Sequence, residues 1–132
     1  MSVGYHWSIH QLTEYFDAVS RPAYEAEAIE VAVERAAEAL DAEIGAVVDG
    51  GQVAGCIGFG PMPAPDLSAV AAGAEVLDVE HLGSLFAVNA SLGSGVPGTL
   101  VVARARDEFN AEERQMLQGM ARVLGLALRN LR

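Results

Sequence analysis

The chain has 132 residues, of which 52% are hydrophobic and 20% are charged, a balance that indicates a folded protein. Eighteen acidic and eight basic residues, the latter all arginine, give a formal net charge of −10. Such a chain repels nucleic-acid phosphates and anionic lipid surfaces, so neither is an expected partner. The length fits one domain spanning residues 1–132.

Few residues of the sequence indicate a catalytic or metal-binding function. Cys56 is the only cysteine, which excludes an internal disulfide and a multi-cysteine metal site. The spacing of His, Asp and Ser residues indicates no catalytic constellation, so we predict no enzyme activity, no catalytic residue and no metal site. The absence of a signal peptide and of a long apolar run predicts a cytoplasmic protein with no membrane contact.

Two helices are predicted in the first third of the chain. Residues 8–11 read as a capping box, which predicts a helix over residues 8–19 with Leu12 and Phe16 on its apolar face. A second helix, rich in Ala and Glu, is expected over residues 23–42. Its acidic residues form an exposed helical row, and we interpret them as a solvated face.

Five short strands, separated by turn-forming residues, are predicted at residues 44–48, 52–59, 75–80, 85–92 and 99–105. Gly50 and Gly51 mark a hairpin between the first two strands. Asp66 is a suitable N-cap for a short helix at residues 67–72. The glycine-rich connection at residues 93–98 lacks the lysine and the helix of a phosphate loop, so we interpret it as a hairpin loop. This order predicts an α+β fold with a mostly antiparallel sheet.

The most clearly signalled element is a helix at residues 111–131. Asn110 and Glu113 occupy the two defining positions of a capping box at its start. The helix carries two apolar stripes, one formed by Leu117, Ala121, Leu124, Leu128 and Leu131, the other by Met116, Met120, Val123 and Ala127. So wide an apolar face needs two partners. The sheet covers one stripe, and either the first helix or the same helix of another chain covers the other.

This C-terminal segment resembles a GAF domain. The pattern is a glycine leading a buried strand, Gly98-Thr-Leu-Val-Val-Ala103, followed by Phe109-Asn-Ala-Glu-Glu-Arg-Gln-Met-Leu117 and Met120-Ala121. The tail from Gly119 to Arg132 looks like GAF domains of actinobacterial signalling proteins that precede cyclic-di-GMP synthase and phosphodiesterase modules. The resemblance implies a sheet of five to six antiparallel strands, six in the family pattern, flanked by N- and C-terminal helices that bundle in a parallel dimer.

The resemblance also implies a place for a ligand, on the sheet face opposite the terminal helices. The candidate ligand-binding residues are Phe59, Met62, His81, Leu82 and Phe86. His81 is the candidate axial ligand if the ligand is haem. The motifs that mark cyclic-nucleotide, bilin and sulfoxide-reductase members of the family are missing, so the cofactor is left open.

The leading hypothesis from the sequence is a regulatory or sensory GAF domain of a bacterial signalling protein. It dimerises and relays a signal to a covalently linked output domain, such as a cyclic-di-GMP synthase or phosphodiesterase. The predicted homodimer interface consists of Leu12, Phe16, Leu117, Ala121, Leu124, Leu128 and Leu131. Two alternatives stay open, a small-ligand sensor that binds haem or another molecule, and a roadblock-like protein-interaction module with a similar order of elements.

Overall fold

The computed structural model describes residues 3–60, 66–93 and 95–132, with side chains from Ile9 onward. Within these ranges the elements are α1 (Val3–Ser20), α2 (Glu25–Ala39), β1 (Ile44–Asp49), β2 (Gln52–Ile57), α3 (Ser68–Ala71), β3 (Val76–Val79), β4 (Gly83–Ser91), β5 (Thr99–Arg104) and α4 (Ala111–Leu131). The predicted α+β fold is confirmed. The described residues form a sheet of five strands, the lower end of the predicted range of five to six.

The strands form one antiparallel sheet in the order β2-β1-β5-β4-β3. Gly50 and Gly51 make the tight β1–β2 turn with positive φ angles of 59° and 83°, a backbone region that glycine enters without a steric cost. The register of this hairpin shifts between Val47 and Val48. Strand β5 lies in the middle of the sheet, and β2 and β3 are its two edges.

Helices α2 and α4 cover one face of the sheet, and α1 packs on these two helices. Helix α2 packs on β1 and β2, α4 packs mainly on β4, and α1 lies against both α2 and α4. Of the two partners that the sequence left open for the second stripe of α4, the first helix of the same chain is therefore the one that packs on it. The short helix α3 lies on the other face, against β4 and β5.

The two terminal helices differ in how well their starts were predicted. The capping box of α4 is confirmed, because Asn110 Oδ1 accepts from the Glu113 amide at 2.8 Å and Glu113 Oε1 accepts from the Asn110 amide at 2.9 Å. The predicted start of α1 is wrong, because the helix begins at Val3. Residues 8–11 lie inside a helix that continues toward the N-terminus, so they cannot cap it.

Two separate apolar clusters lie on the two sides of the sheet. The larger is formed by α1, α2, α4 and the sheet residues that face them, such as Val88, Leu100 and Val102. The smaller lies under α3 and includes Ile44, Leu85 and Val101. We call the two sides the helix face and the α3 face. In β1, β4 and β5 the buried residues on opposite sides of the strand belong to opposite clusters, as the period of two of a β-strand requires.

Candidate functional site

The structure does not bring the predicted ligand-binding residues together in one pocket. Phe59 is buried in the α3-face cluster, and Leu82 packs against the same cluster. Phe86 lies on the opposite face, because its direct neighbours across the sheet are Val76 and the helix-face residue Arg104. Phe59 and Phe86 therefore face opposite sides of the sheet, and the role of the five residues in ligand binding stays a prediction.

The remaining two of the five predicted ligand residues are His81 and Met62. His81 is exposed in the turn between β3 and β4, and it does not line the clefts beside β3, between α1 and α4, or beside α3. Met62 lies outside the described residues. The open cleft on the α3 side, about 460 Å³ between the β1–β2 turn, α3 and the start of β5, contains no predicted ligand residue.

The predicted dimer interface needs a correction for four of its seven residues. Leu117, Ala121, Leu124 and Leu128 are buried within the subunit, where they join the cluster that α4 shares with α2 and the sheet. The periodicity correctly identified an apolar stripe, but the covering elements belong to the same chain. Leu12 and Leu131 are half-buried, and Phe16 is 55% exposed.

An apolar groove lies where α1 runs beside α4. We call it the α1–α4 groove; it is lined by Ile9, Leu12, Thr13, Phe16 and Val123 and has a volume of about 370 Å³. Leu126, three residues beyond Val123 on α4, is 48% exposed. Residues three apart share a helix face, so Leu126 extends the apolar surface beside the groove. Large exposed apolar side chains that lie together mark interaction surfaces more often than isolated ones do.

Two contacts hold α1 against α4 and so define the groove. The buried Tyr15 hydroxyl donates to the Met120 carbonyl oxygen at 2.8 Å, and burial raises the pKa of Tyr15 above its ordinary value. Gly119 faces the Leu12 side chain, where an added Cβ atom would lie at a contact distance of 3.4 Å. Because α1 uses this side for α4, Ile9 and Phe16 are left facing outward.

A buried arginine organises the opposite, N-terminal end of α4. The Arg104 side chain is 1% exposed, and its guanidinium donates to both carboxylate oxygens of Glu113 at 2.7 and 2.8 Å. The same group donates to three backbone carbonyls, those of Leu40, Asp107 and Glu108, at 2.8 to 2.9 Å. We call these residues the Arg104 cluster; it joins the end of α2, the end of β5 and the start of α4.

The electrostatics of the Arg104 cluster favour the charged pair. The hydrogen bonds to Glu113 raise the pKa of Arg104 despite its burial. Burial alone would raise the pKa of Glu113, but the hydrogen bonds from Arg104 and the Asn110 amide, together with the positive charge, lower it below its usual range. The Phe109 ring lies 4.1 Å from the guanidinium carbon, a cation–π contact.

The sequence analysis did not identify the Arg104 cluster. Two local signals were available, an arginine that ends an otherwise apolar central strand and a Glu at the third position of the following helix. Neither reveals that the two side chains meet. The described residues contain no group of three or more His, Cys, Asp or Glu side chains placed to hold a metal ion. None of the described helices has the length and apolar character that crossing a membrane requires.

No protein-family profile and no curated protein sequence matches the chain. Solved structures do resemble it, and those described are GAF domains. One belongs to a protein described as a sensor histidine kinase from Pseudomonas syringae pv. tomato, with a TM-score of 0.68 and 20% identity over 98% of this chain and 90% of that one. Another, from an Acinetobacter phosphoenolpyruvate-protein phosphotransferase, has a TM-score of 0.68 and 14% identity over 98% and 95% of the two chains.

A third GAF domain, from a Coxiella burnetii phosphoenolpyruvate-protein phosphotransferase, has a TM-score of 0.68 and 15% identity over 93% of each chain. The order of elements, the single antiparallel sheet and the helix layer thus define a known class of fold. The chain has a GAF fold.

Proposed function

We propose that the chain is a regulatory or sensory domain of a bacterial signalling protein, which forms a homodimer through the α1–α4 groove and relays a signal to an output domain. The observation that carries this proposal is the exposed apolar surface of Ile9, Phe16 and Leu126 along the two terminal helices. The GAF fold, whose solved examples include a domain of a sensor histidine kinase protein, supports a signalling role.

A second copy of the chain is the partner that fits this surface. Exposed acidic residues, Glu14 and Asp17, lie on α1, whereas exposed arginines, Arg122 and Arg129, lie on α4. In a two-fold dimer the same patch is used twice, and α1 of one protomer meets α4 of the other. This packing covers Phe16 and brings the acidic helix next to the basic one, so apolar burial and charge both favour it.

The relay follows from the position of α4. Its start is fixed by the Arg104 cluster, and Val123, further along the helix, lines the groove. A shift of the sheet or of α2 therefore moves α4 and alters the packing of the dimer, which an attached output domain senses. The resemblance of the C-terminal tail favours a cyclic-di-GMP synthase or phosphodiesterase as that domain.

Light scattering on the purified chain tests the dimer. We expect a mass of twice the 13.8 kDa subunit and expect Phe16→Glu to reduce it to that of the monomer, because a carboxylate is costly to bury in an apolar contact. Tyr24→Glu is the matched control, since Tyr24 is a 73% exposed aromatic residue outside the groove. A monomeric wild-type chain at about 1 mM, or a dimer that Phe16→Glu leaves intact, would contradict the proposal.

A further inference from the structure

Strand β3 is an edge of the sheet, and its outer side pairs with no other strand among the described residues. The amide of Ala87 donates to the Glu75 carbonyl at 2.9 Å, and this bond fixes the phase of the antiparallel pairing. In such a ladder, alternate residues direct their N–H and C=O groups toward the neighbouring strand. Leu77 and Val79 therefore face β4, whereas Val76 and Asp78 direct their backbone groups away from the sheet. An edge with this geometry is a template for an added strand.

A cleft lies beside this edge on the helix face of the sheet. It has a volume of about 200 Å³ and is lined by Val76, Phe86 and Phe109, with Glu75, Glu108 and Arg114 around it. Val76 is 56% exposed and Phe86 is 37% exposed, and the two are direct cross-strand neighbours. A residue placed opposite Val76 on an added strand would lie on this same face and reach the cleft.

The walls of the cleft are held in place by contacts within the chain. The buried guanidinium of Arg104 lies against the Phe109 ring. Arg114 donates from Nε to the Phe109 carbonyl at 3.3 Å, and its Nη2 lies 3.6 Å from a carboxylate oxygen of Glu75. These contacts connect the start of α4 to the start of β3, so the cleft exists before any partner arrives.

We propose that the β3 edge binds an extended basic peptide segment of a partner protein as an additional strand, with one apolar or aromatic side chain in the cleft. The volume is sufficient, because a cavity of about 150 Å³ holds a benzene molecule. The charge around the edge selects the flanking residues. Four carboxylates, those of Glu75, Asp78, Glu80 and Glu108, accompany one arginine, Arg114. Lys or Arg residues two positions before and after the inserted side chain lie on the same face of the strand and complement this surface.

Two other arrangements are less favourable. Pairing of β3 with β3 of a second copy would bring acidic residues together, and like charges on paired strands are destabilising. The other edge of the sheet is a poorer template, since β2 is irregular where it pairs with β1, and Gly55 lies against the Ile29 side chain of α2. A basic segment from a different protein is therefore the occupant that the β3 edge fits.

The probe is a dye-labelled heptapeptide, Val-Lys-Val-Phe-Val-Lys-Val, capped at both ends, whose two Lys residues lie on the same strand face as Phe. The readout is fluorescence anisotropy with the full chain. We expect saturable binding that weakens as salt is added, because the carboxylates around the cleft attract the peptide through their charge. The control peptide replaces every Lys by Glu and keeps the alternation, so it retains the strand propensity and reverses the charge. We expect no binding of the control.

Two variants at Asp78 distinguish the contribution of the backbone hydrogen bond to peptide binding from that of the carboxylate charge. Asp78→Pro removes the outward amide, and proline is tolerated on an edge strand when its N–H would face solvent. We expect this variant to weaken binding at least about tenfold, since the added strand loses a backbone hydrogen bond and meets the proline ring. Asp78→Asn keeps the amide and should weaken binding about two- to fivefold, the range of one exposed charge pair. Glu34→Gln, an exposed charge change on α2, should leave binding unchanged.

A second measurement keeps the proposal testable if Asp78→Pro does not fold. Backbone amide exchange in the wild-type chain should slow at Val76 and Asp78 on addition of the Lys peptide, and not at Val53 on the β2 edge. The proposal is overturned if the anisotropy does not change up to about 1 mM chain. Equal binding of the Lys and Glu peptides, equal binding by folded Asp78→Pro, or unchanged exchange at both β3 amides would also overturn it.

Discussion

The two faces of the sheet are covered in different ways. On the helix face three helices enclose the larger apolar cluster, and the fully satisfied Arg104 cluster lies at its margin. On the α3 face a helix of four residues covers a smaller cluster, and one side-chain hydrogen bond, from Asn89 to Val70, ties that helix to β4. The comparison indicates that the helix face controls global stability, whereas the α3 face can open locally without unfolding the domain.

The largest expected effect is the loss of the Arg104 guanidinium. Arg104→Met keeps an unbranched apolar chain but removes the positive charge that pairs with Glu113, which retains only the Asn110 amide as a donor, and it removes the donors to the carbonyls of Leu40, Asp107 and Glu108. Breaking a buried ion pair by removing one partner costs about 3–5 kcal/mol of folding free energy. Urea unfolding followed by circular dichroism measures this loss. An unfolding midpoint equal to that of the wild-type chain would contradict the role that we assign to the cluster.

Arg106→Met is the matched control for this variant. Arg106 also pairs with carboxylates, those of Asp41 and Asp107, but its side chain is 57% exposed. Exposed ion pairs contribute about 0–1 kcal/mol, so the control should lower the free energy of unfolding by no more than that. A comparable loss in both variants would mean that burial does not distinguish the two arginines.

The Arg104 cluster also shows where prediction from the sequence ends. The capping box of α4 was predicted because Asn110 and Glu113 are three residues apart and act on the same turn. The arginine that shares Glu113 also reaches the carbonyl of Leu40, 64 residues away in sequence. The packing of β5, α2 and α4 decides which residues converge there. Local sequence patterns do not predict that packing.

The differences between the predicted sites and the structure have similar causes. Periodicity showed that α4 has a wide apolar face, but it does not say whether Leu117 and Leu124 are covered by the same chain or by another. Strand alternation implies that Leu85 and Phe86 face opposite sides, but it does not say which side lies under the helices. The predicted ligand pocket combined residues from both faces for that reason. The α+β class, by contrast, follows from element order alone, and it was predicted correctly.

A medium effect is expected where α4 meets the end of β4 on the helix face. A Cβ atom at Gly125 would lie 2.3 Å from the Leu92 carbonyl oxygen, which is closer than any normal contact. Gly125→Ala should therefore force α4 away from the sheet and lower the free energy of unfolding by about 1–3 kcal/mol, the range for overpacking. Thermal unfolding measures the difference.

Gly119→Ala is the control on the same helix. A Cβ atom there would lie 3.4 Å from the Leu12 side chain, which is close to ordinary contact with a flexible group. Alanine is favoured over glycine in a helix interior by about 1 kcal/mol, so this variant should be neutral or stabilised. If both variants lost the same stability, the close approach at Leu92 would not be the cause.

The smallest effect is expected on the α3 face, at Asn89. Its Nδ2 donates to the Val70 carbonyl at 2.9 Å, but that carbonyl also accepts from the Gly73 amide at 3.0 Å. Asn89→Ala therefore leaves no carbonyl unpaired, and the loss should be about 1 kcal/mol, that of one ordinary hydrogen bond. Because the bond joins α3 to β4, its loss should appear as faster amide exchange at Ala71 and Ala72 while the global unfolding midpoint hardly moves. Ser84→Ala, which removes an exposed hydrogen bond to Asp78, should change neither. A large drop in global stability on Asn89→Ala would mean that the α3 face is as tightly coupled to the fold as the helix face, and the distinction between the two faces would fail.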